Sequence, residues 1–338
     1  MKVLFSSNRN PHFETFTEYI EKAFKESGCE TLFFENRDFI LPGRIRDRAA
    51  FLQQWDTQRL NKRLIAIARS YKPDIFLEAG GWNILPNTVA ALREMNIKTA
   101  LWTIDPPRIF DPIREAAPHY DFVFTGGSEA YELLEDLRIK HLQWLPFACD
   151  PDFHRPVALT KGEREKYGCD ICFVGSGWES LYPYRRKYLE ALVDFDLGIW
   201  GPGWDNLLTP SPLMKFIRGG EIRPEEWVKI FSASQIVFHS HYQDPSEKIP
   251  CYQAAPRVYE ALACGAFLVV DGQRDVLRLF KPGKDLVVFN NVKELRDLVG
   301  YYLQHPKEAK AVVERGRKKV LAKHTYRHRI KEMLDNVM

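Results

Sequence analysis

Cysteine is scarce, with six residues in a chain of 338. That is too few, too widely spread, for a disulfide framework, and reduced thiols are expected. Cys169 and Cys172 form a CxxC, but it falls in CDICFVG, which reads as a strand, where a three-residue spacing sends the two thiols to opposite faces. No second Cys or His pair at ligand spacing follows, so no metal site is expected. Long apolar runs are also missing. Nothing approaches the roughly 18 residues of a membrane span, and the apolar start MKVLF gives way at once to SSNRN, too short for the apolar segment of a signal peptide. A cytoplasmic protein without a transmembrane segment is the expectation. Excess charge is absent too: Lys plus Arg number 48 against 45 Asp plus Glu, which creates no global field for a polyanion, and nucleic acid is not an expected partner. Two glycine stretches, GSGWES and GPGWDN, lack the third glycine of GxGxxG, and no GxxxxGK[ST] occurs. A nicotinamide dehydrogenase and a kinase-like phosphate loop are both weakened.

What is present is a rhythm. KVLFS, TLFFE, DIFLE, TALWT, FVFTG and HLQWL are short apolar runs separated by helical stretches, among them Arg48 to Ser70, Thr88 to Met95 and Glu129 to Leu137. The first helix carries Phe16, Tyr19, Ile20, Ala23 and Phe24 on one stripe, with Gly28 beyond it as a stop signal. Strand and helix in alternation mean parallel pairing, with a sheet covered on both faces. Residues 1–150 thus read as one Rossmann-like domain. The proline- and charge-rich stretch from Leu145 to Gly168 lacks either period and reads as a linker over 151–168. The alternation then restarts through CDICFVG, LGIWG, QIVFHS, AFLVVD and DLVVF, and 169–325 reads as a second Rossmann-like domain ahead of a long helical tail. The fold class is α/β, two tandem Rossmann-like domains.

In open parallel sheets, ligands bind beyond the carboxyl ends of the strands, where helix N-termini converge. In the second half those ends carry Gly175-Ser176-Gly177, Gly201-Pro202-Gly203 and His239-Ser240-His241, a set suited to polyphosphate, although each glycine alone also fits a tight turn. PRVYEALACG then opens a helix at Pro256. Arg257 falls in its first turn, where the helix dipole disfavours a cation, and Glu260 follows one turn on. A guanidinium on phosphate and a carboxylate on ribose would suit a nucleoside diphosphate. The competing reading is an ion pair at helical spacing, which contributes only a few tenths of a kcal/mol.

These residues carry a resemblance. KPDIFLEAGG, WTIDPPR, LPFACDPDFHRP, CDICFVGSGW, YPYRRKYLEAL, GIWGPGW, PRVYEALACGAFLVV, LFKPGKDLVVF and AKHTYRHR, in that order, resemble glycosyltransferases of the GT-B fold, and among them the spore maturation protein CgeB-like group. The resemblance implies an N-terminal acceptor domain, a C-terminal donor domain, an interdomain cleft and no required metal or other cofactor. It also implies a last helix, 326–338, that packs back toward the first domain through Ile330, Met333 and Leu334. Many retaining members carry two glutamates separated by seven residues; Glu260 matches the second, but Tyr252 stands at the first position, so the anomeric outcome stays open.

The expected partners are a nucleotide sugar, UDP-linked forms included, and an unidentified acceptor. Donor-binding candidates are Gly175, Ser176, Arg185, Gly201, Gly203, His241, Arg257 and Glu260, with Arg257 the first choice for the phosphates and Lys248 a further cation. For the catalytic base the first half offers His12, Glu78 and Asp105, all near strand ends. Asp105 is held between an apolar strand and two prolines; His12 titrates near working pH; Glu78 also suits an acceptor hydroxyl. The expected activity is metal-independent glycosyl transfer, the alternatives being a non-catalytic nucleotide-sugar binder or an epimerase on the same fold.

Overall fold

The computed structural model describes residues 1–104, 110–246 and 248–338. The chain divides into two compact units, one comprising Met1–Pro146 with Tyr326–Met338, the other Phe147–Thr325. Among the described residues no helix is long and apolar enough to cross a membrane.

The first unit runs β1 (Lys2–Ser7), α1 (Phe16–Glu26), β2 (Glu30–Glu35), α2 (Gly43–Arg46), α3 (Ala50–Tyr71), β3 (Ile75–Ala79), α4 (Pro86–Glu94), β4 (Lys98–Thr103), α5 (Asp111–Ala116), β5 (Phe122–Thr125), α6 (Ser128–Glu135) and β6 (Leu142–Trp144). Its strands are all parallel, in the order β2-β1-β3-β4-β5-β6. The central strands are buried along almost their whole length, every residue of β3 included. That is why they appear as continuous apolar runs and not as alternation. Leu4, Phe76, Leu101 and Val123 extend one sheet face into the core beneath the helices. α1 buries Tyr19, Ile20, Ala23 and Phe24, and a reciprocal capping box between Thr15 and Glu18 sets its start.

The second unit runs α7 (Lys161–Tyr167), β7 (Ile171–Val174), α8 (Arg185–Glu190), β8 (Leu197–Trp200), β9 (Ile217–Gly219), α9 (Pro224–Ala233), β10 (Ile236–His239), α10 (Pro256–Ala263), β11 (Leu268–Asp271), α11 (Arg274–Leu279), β12 (Val287–Phe289), α12 (Val292–Gln304) and α13 (Pro306–Lys323). Its sheet is again all parallel, in the order β12-β11-β10-β7-β8-β9. The stretch that reads as a linker lacking either period contains a helix, α7, opened by a second capping box between Thr160 and Glu163. Its Tyr167 is buried and donates to Glu226 of α9 at 2.9 Å. The last helix, α14 (Tyr326–Val337), is part of the first unit, where Ile330, Met333 and Leu334 are buried and Tyr326 packs on Tyr19 and Trp102.

In each sheet the strand order reverses once, between β1 and β3 in the first unit and between β7 and β10 in the second. The two helices flanking such a reversal leave on opposite faces, which opens a crevice at the carboxyl ends of the strands.

Candidate functional site

At the reversal of the second unit sits Arg185, the first residue of α8, only 6% exposed. Its Nη1 donates to the Ser176 carbonyl at 2.7 Å and its Nη2 to the Ser240 carbonyl at 3.0 Å, so one side chain bridges the ends of β7 and β10. The guanidinium lies 3.6 Å from the centre of the Tyr182 ring and 5.1 Å from that of Phe173. No carboxylate is hydrogen-bonded to it among the described residues. Burial therefore dominates and pulls its pKa down to about 10, Tyr182 and Asp271 opposing the fall and Arg257 adding to it. A buried cation held by carbonyls, a hydroxyl and π faces, with no hydrogen-bonded carboxylate, leaves a positive field for an anion.

Around it the strand ends contribute a polar cluster. Asp271, last residue of β11, accepts from the His241 backbone amide at 3.0 Å and from His241 Nδ1 at 2.7 Å. The carboxylate holds the proton on Nδ1, and Nε2 is buried without a hydrogen-bond partner among the described residues. Burial pushes the Asp271 carboxyl up, but the charge and hydrogen bonds of His241 outweigh it and the net shift is downward. His239 packs edge-on against His241 at 4.8 Å and is held well below the usual histidine range by burial, with His241, Arg185 and Arg257 adding to the effect. A cavity of about 280 Å³ adjoins this cluster, lined by Tyr184, Gln243, Asp244, Ile249, Cys251 and Gln273.

Arg257 and Glu260 are paired with each other, Nη1 to Oε2 at 2.9 Å. The pair is not a surface ornament: the side chains are 17% and 12% exposed, and the guanidinium stacks 4.1 Å from the centre of the Trp227 ring of α9. On its other oxygen Glu260 faces His154 Nε2 at 3.9 Å. His154 is fully buried, and its pKa is lowered by burial, against the pull of Glu260. LPFACDPDFHRP thus places a histidine beneath the carboxylate. Asp150 Oδ1 folds that segment by accepting from the amides of Asp152 and Phe153.

The glycines at the strand ends bond to neighbouring strand ends. Gly175 N donates to the Trp200 carbonyl, Gly177 N to that of Pro202 and Gly201 N to that of Gly219. These three amides tie the end of β7 to that of β8, and the end of β8 to β9. Gly201 has φ +140°, and a Cβ there would stand 2.2 Å from the Gly175 carbonyl oxygen; Gly203, φ +83°, would collide with Trp178. Close approach of two loops explains these glycines without a ligand. Ser176 contributes its carbonyl to Arg185. Arg186 is engaged by Glu179 and Glu190, and Lys248 is exposed on its loop.

The three candidate bases fare unequally. Asp105 lies outside the described residues. His12 is exposed on the loop after β1, its amide donating to Asn10 Oδ1. Glu78 is fully buried on β3 and accepts from the Tyr120 hydroxyl. Burial drives its pKa up to about 7, against the pull of Tyr120 and the amides of Gly81, Trp82 and Asn83. It shares the sheet face of Phe76 and Leu101 and anchors the glycine loop through those amides. All six cysteines are free thiols, five of them buried, and the described residues contain no group of three metal-ligating side chains.

Residues 185–335 match a family model described as glycosyl transferase-like. No curated protein sequence matches the chain. Among solved structures it is similar to an α,α-trehalose-phosphate synthase (UDP-forming) from Burkholderia vietnamiensis, at 12% identity and TM-score 0.68, over 99% of each chain. It is also similar to a sucrose-phosphate synthase from Thermosynechococcus elongatus, at 13% identity and TM-score 0.66, over 99% of this chain and 98% of the other. Similarity to HepE from Anabaena, solved in complex with UDP-glucose, reaches 12% identity and TM-score 0.64, over 99% of this chain and all of that one. The fold is therefore GT-B, two Rossmann-like domains with six parallel strands each.

Proposed function

We propose that the protein is a glycosyltransferase that takes a sugar from a nucleoside-diphosphate sugar, UDP-glucose being the first donor to test, and delivers it to an acceptor bound by the first unit. The observation that carries this reading is Arg185, a buried guanidinium without a hydrogen-bonded carboxylate at the strand-order reversal of the second unit. Departure of a nucleoside diphosphate concentrates negative charge on the β-phosphate, and a fixed cation stabilises that charge without reorganising. Arg185 takes that role here, displacing Arg257 as first choice because Arg257 is neutralised by Glu260. Glu260, backed by His154, is assigned to the ribose hydroxyls, and His241 to a hydrogen bond on the donor.

The match of residues 185–335 to a glycosyl transferase-like model supports the donor half of the reading, and the HepE complex supports UDP-glucose as the compound to try first. Metal independence follows from assigning the leaving charge to Arg185, and the test is turnover in EDTA. The decisive measurement is a thermal-shift series with UDP, GDP, ADP and their glucose conjugates. A ligand that binds only the native state raises the melting temperature. We expect one nucleoside diphosphate to do so and Arg185→Ala to abolish the shift; a flat response to all of them would reject the assignment.

A further inference from the structure

Four of the twelve exposed large hydrophobic side chains among the described residues fall between positions 40 and 55: Ile40 at 61%, Ile45 at 41%, Phe51 at 69% and Trp55 at 52%. Phe51 and Trp55 are four residues apart on α3, hence on one face of its first two turns. Scattered exposed apolar residues need no explanation, but this concentration does.

The segment is strapped in place. Asp56 is fully buried and accepts from the amides of Ile40 and Leu41 at 3.2 and 2.9 Å and from Arg59 Nε at 3.0 Å. Arg59 in turn donates to the Asp38 carbonyl. The apolar side chains are thus presented by a fixed loop and a helix.

Charge decides what they are presented to. The three carboxylates of the segment are each taken: Asp38 by Arg63, Asp47 by Arg46 and Asp56 by Arg59. Arg37, Arg44 and Arg48 are exposed and have no ion pair among the described residues. Exposed aromatic and aliphatic side chains interspersed along the segment with unpaired arginines have the composition of an interfacial membrane-binding element, in which the rings enter the headgroup boundary and the cations meet anionic lipid. A second copy of the same surface would set these arginines against one another.

We infer that the α2–α3 region of the first unit, through Ile45, Phe51 and Trp55 with Arg44 and Arg48, docks on an anionic phospholipid surface. The docking does not depend on the transfer reading. Under that reading it adds that the acceptor is carried in or on a lipid surface, because the segment leaves the sheet from the carboxyl end of β2.

The test is co-sedimentation of the full chain with vesicles of phosphatidylcholine alone and with about one third phosphatidylglycerol. Binding should be at least about ten-fold tighter to the anionic vesicles and should weaken as salt rises. Phe51→Ser with Trp55→Ser should remove binding at an unchanged melting temperature, since both side chains are already exposed. Arg44→Glu with Arg48→Glu should erase the preference for anionic lipid. No binding by the unaltered chain, undiminished binding by both double variants, or a Phe51/Trp55 variant whose only change is dissociation of a dimer would each overturn the inference.

Discussion

Both sheets reverse their strand order once, and near each reversal a charged side chain is buried without a full counter-ion; the two differ in sign and in purpose. In the first unit it is Glu78, on the core face, with its pKa pushed up to about 7. In the second it is Arg185, at the crevice, pulled down to about 10 and still protonated at any physiological pH. A carboxyl group relieves burial by taking up a proton, whereas a guanidinium keeps its charge and has to be solvated by carbonyls and rings. The first unit thus keeps an acid that is half neutral near pH 7, and the second keeps a permanent cation.

The largest effect should come from removing the cation. Arg185→Ala should weaken nucleoside-diphosphate binding by at least about 100-fold, as expected when a buried charge partner is truncated. Titration calorimetry with UDP measures it. Arg257→Ala should cost less, about ten-fold, because that guanidinium is already paired with Glu260. The reverse ranking would move the phosphate site to the head of α10 and break the contrast between the two units.

Next in size is the pH dependence of the first unit. Glu78 has a folded pKa of about 7, above its ordinary value of 4.5, so the folded chain holds that proton more tightly than the unfolded chain. The stability linked to it is complete below about pH 4.5 and is lost as pH rises through about 7. The difference between 4.5 and about 7 corresponds to roughly 3 kcal/mol. Glu78→Gln keeps a hydrogen-bonding group toward Tyr120 without the titration. Denaturant melts at pH 5 and pH 8 should therefore converge in the variant and diverge in the parent. If Glu78 serves the loop and not the chemistry, Glu78→Gln should retain turnover within about three-fold; a loss of about 100-fold would restore it as a catalytic group.

Much of the fold was legible because parallel strands covered on both faces must be apolar throughout: DIFLE and FVFTG fall on β3 and β5 for that reason. β9 left no such trace, since an edge strand of three residues buries too little. α11 was missed because RDVLRL has only one and a half turns in which to show a period. The site was half legible. Parallel topology identifies which strand ends converge, so Arg185, His241, Arg257 and Glu260 could be named. Their partners could not, because those lie far along the chain: Ser240 is 55 residues from Arg185, and Asp271 is 30 from His241. His154 carries no local signal, since only the folded DPDFHRP turn brings it under Glu260. The glycines are ambiguous for a definite reason: close packing of two loops and close approach to a phosphate make the same demand for a missing Cβ.

The smallest effect bears on where the second unit begins. The same capping box opens α1 in the first unit, Thr15 with Glu18, and α7 in the second, Thr160 with Glu163. α1 has eleven residues and buries a full apolar stripe; α7 has seven and buries Tyr167. Loss of a Thr cap typically costs about 1 kcal/mol of whatever cooperative unit contains the helix. Thr15→Ala should show that cost in full. Thr160→Ala shows it only if α7 melts with the second unit. Its ties to α9, Tyr167 to Glu226 at 2.9 Å and Lys229 to Glu163 at 2.8 Å, argue that it does. We therefore expect both variants to lower the unfolding midpoint of their own unit by a similar amount in urea melts. A Thr160→Ala midpoint equal to that of the parent would mean that α7 frays independently, and the residues before Gly168 would then behave as a linker despite being helical.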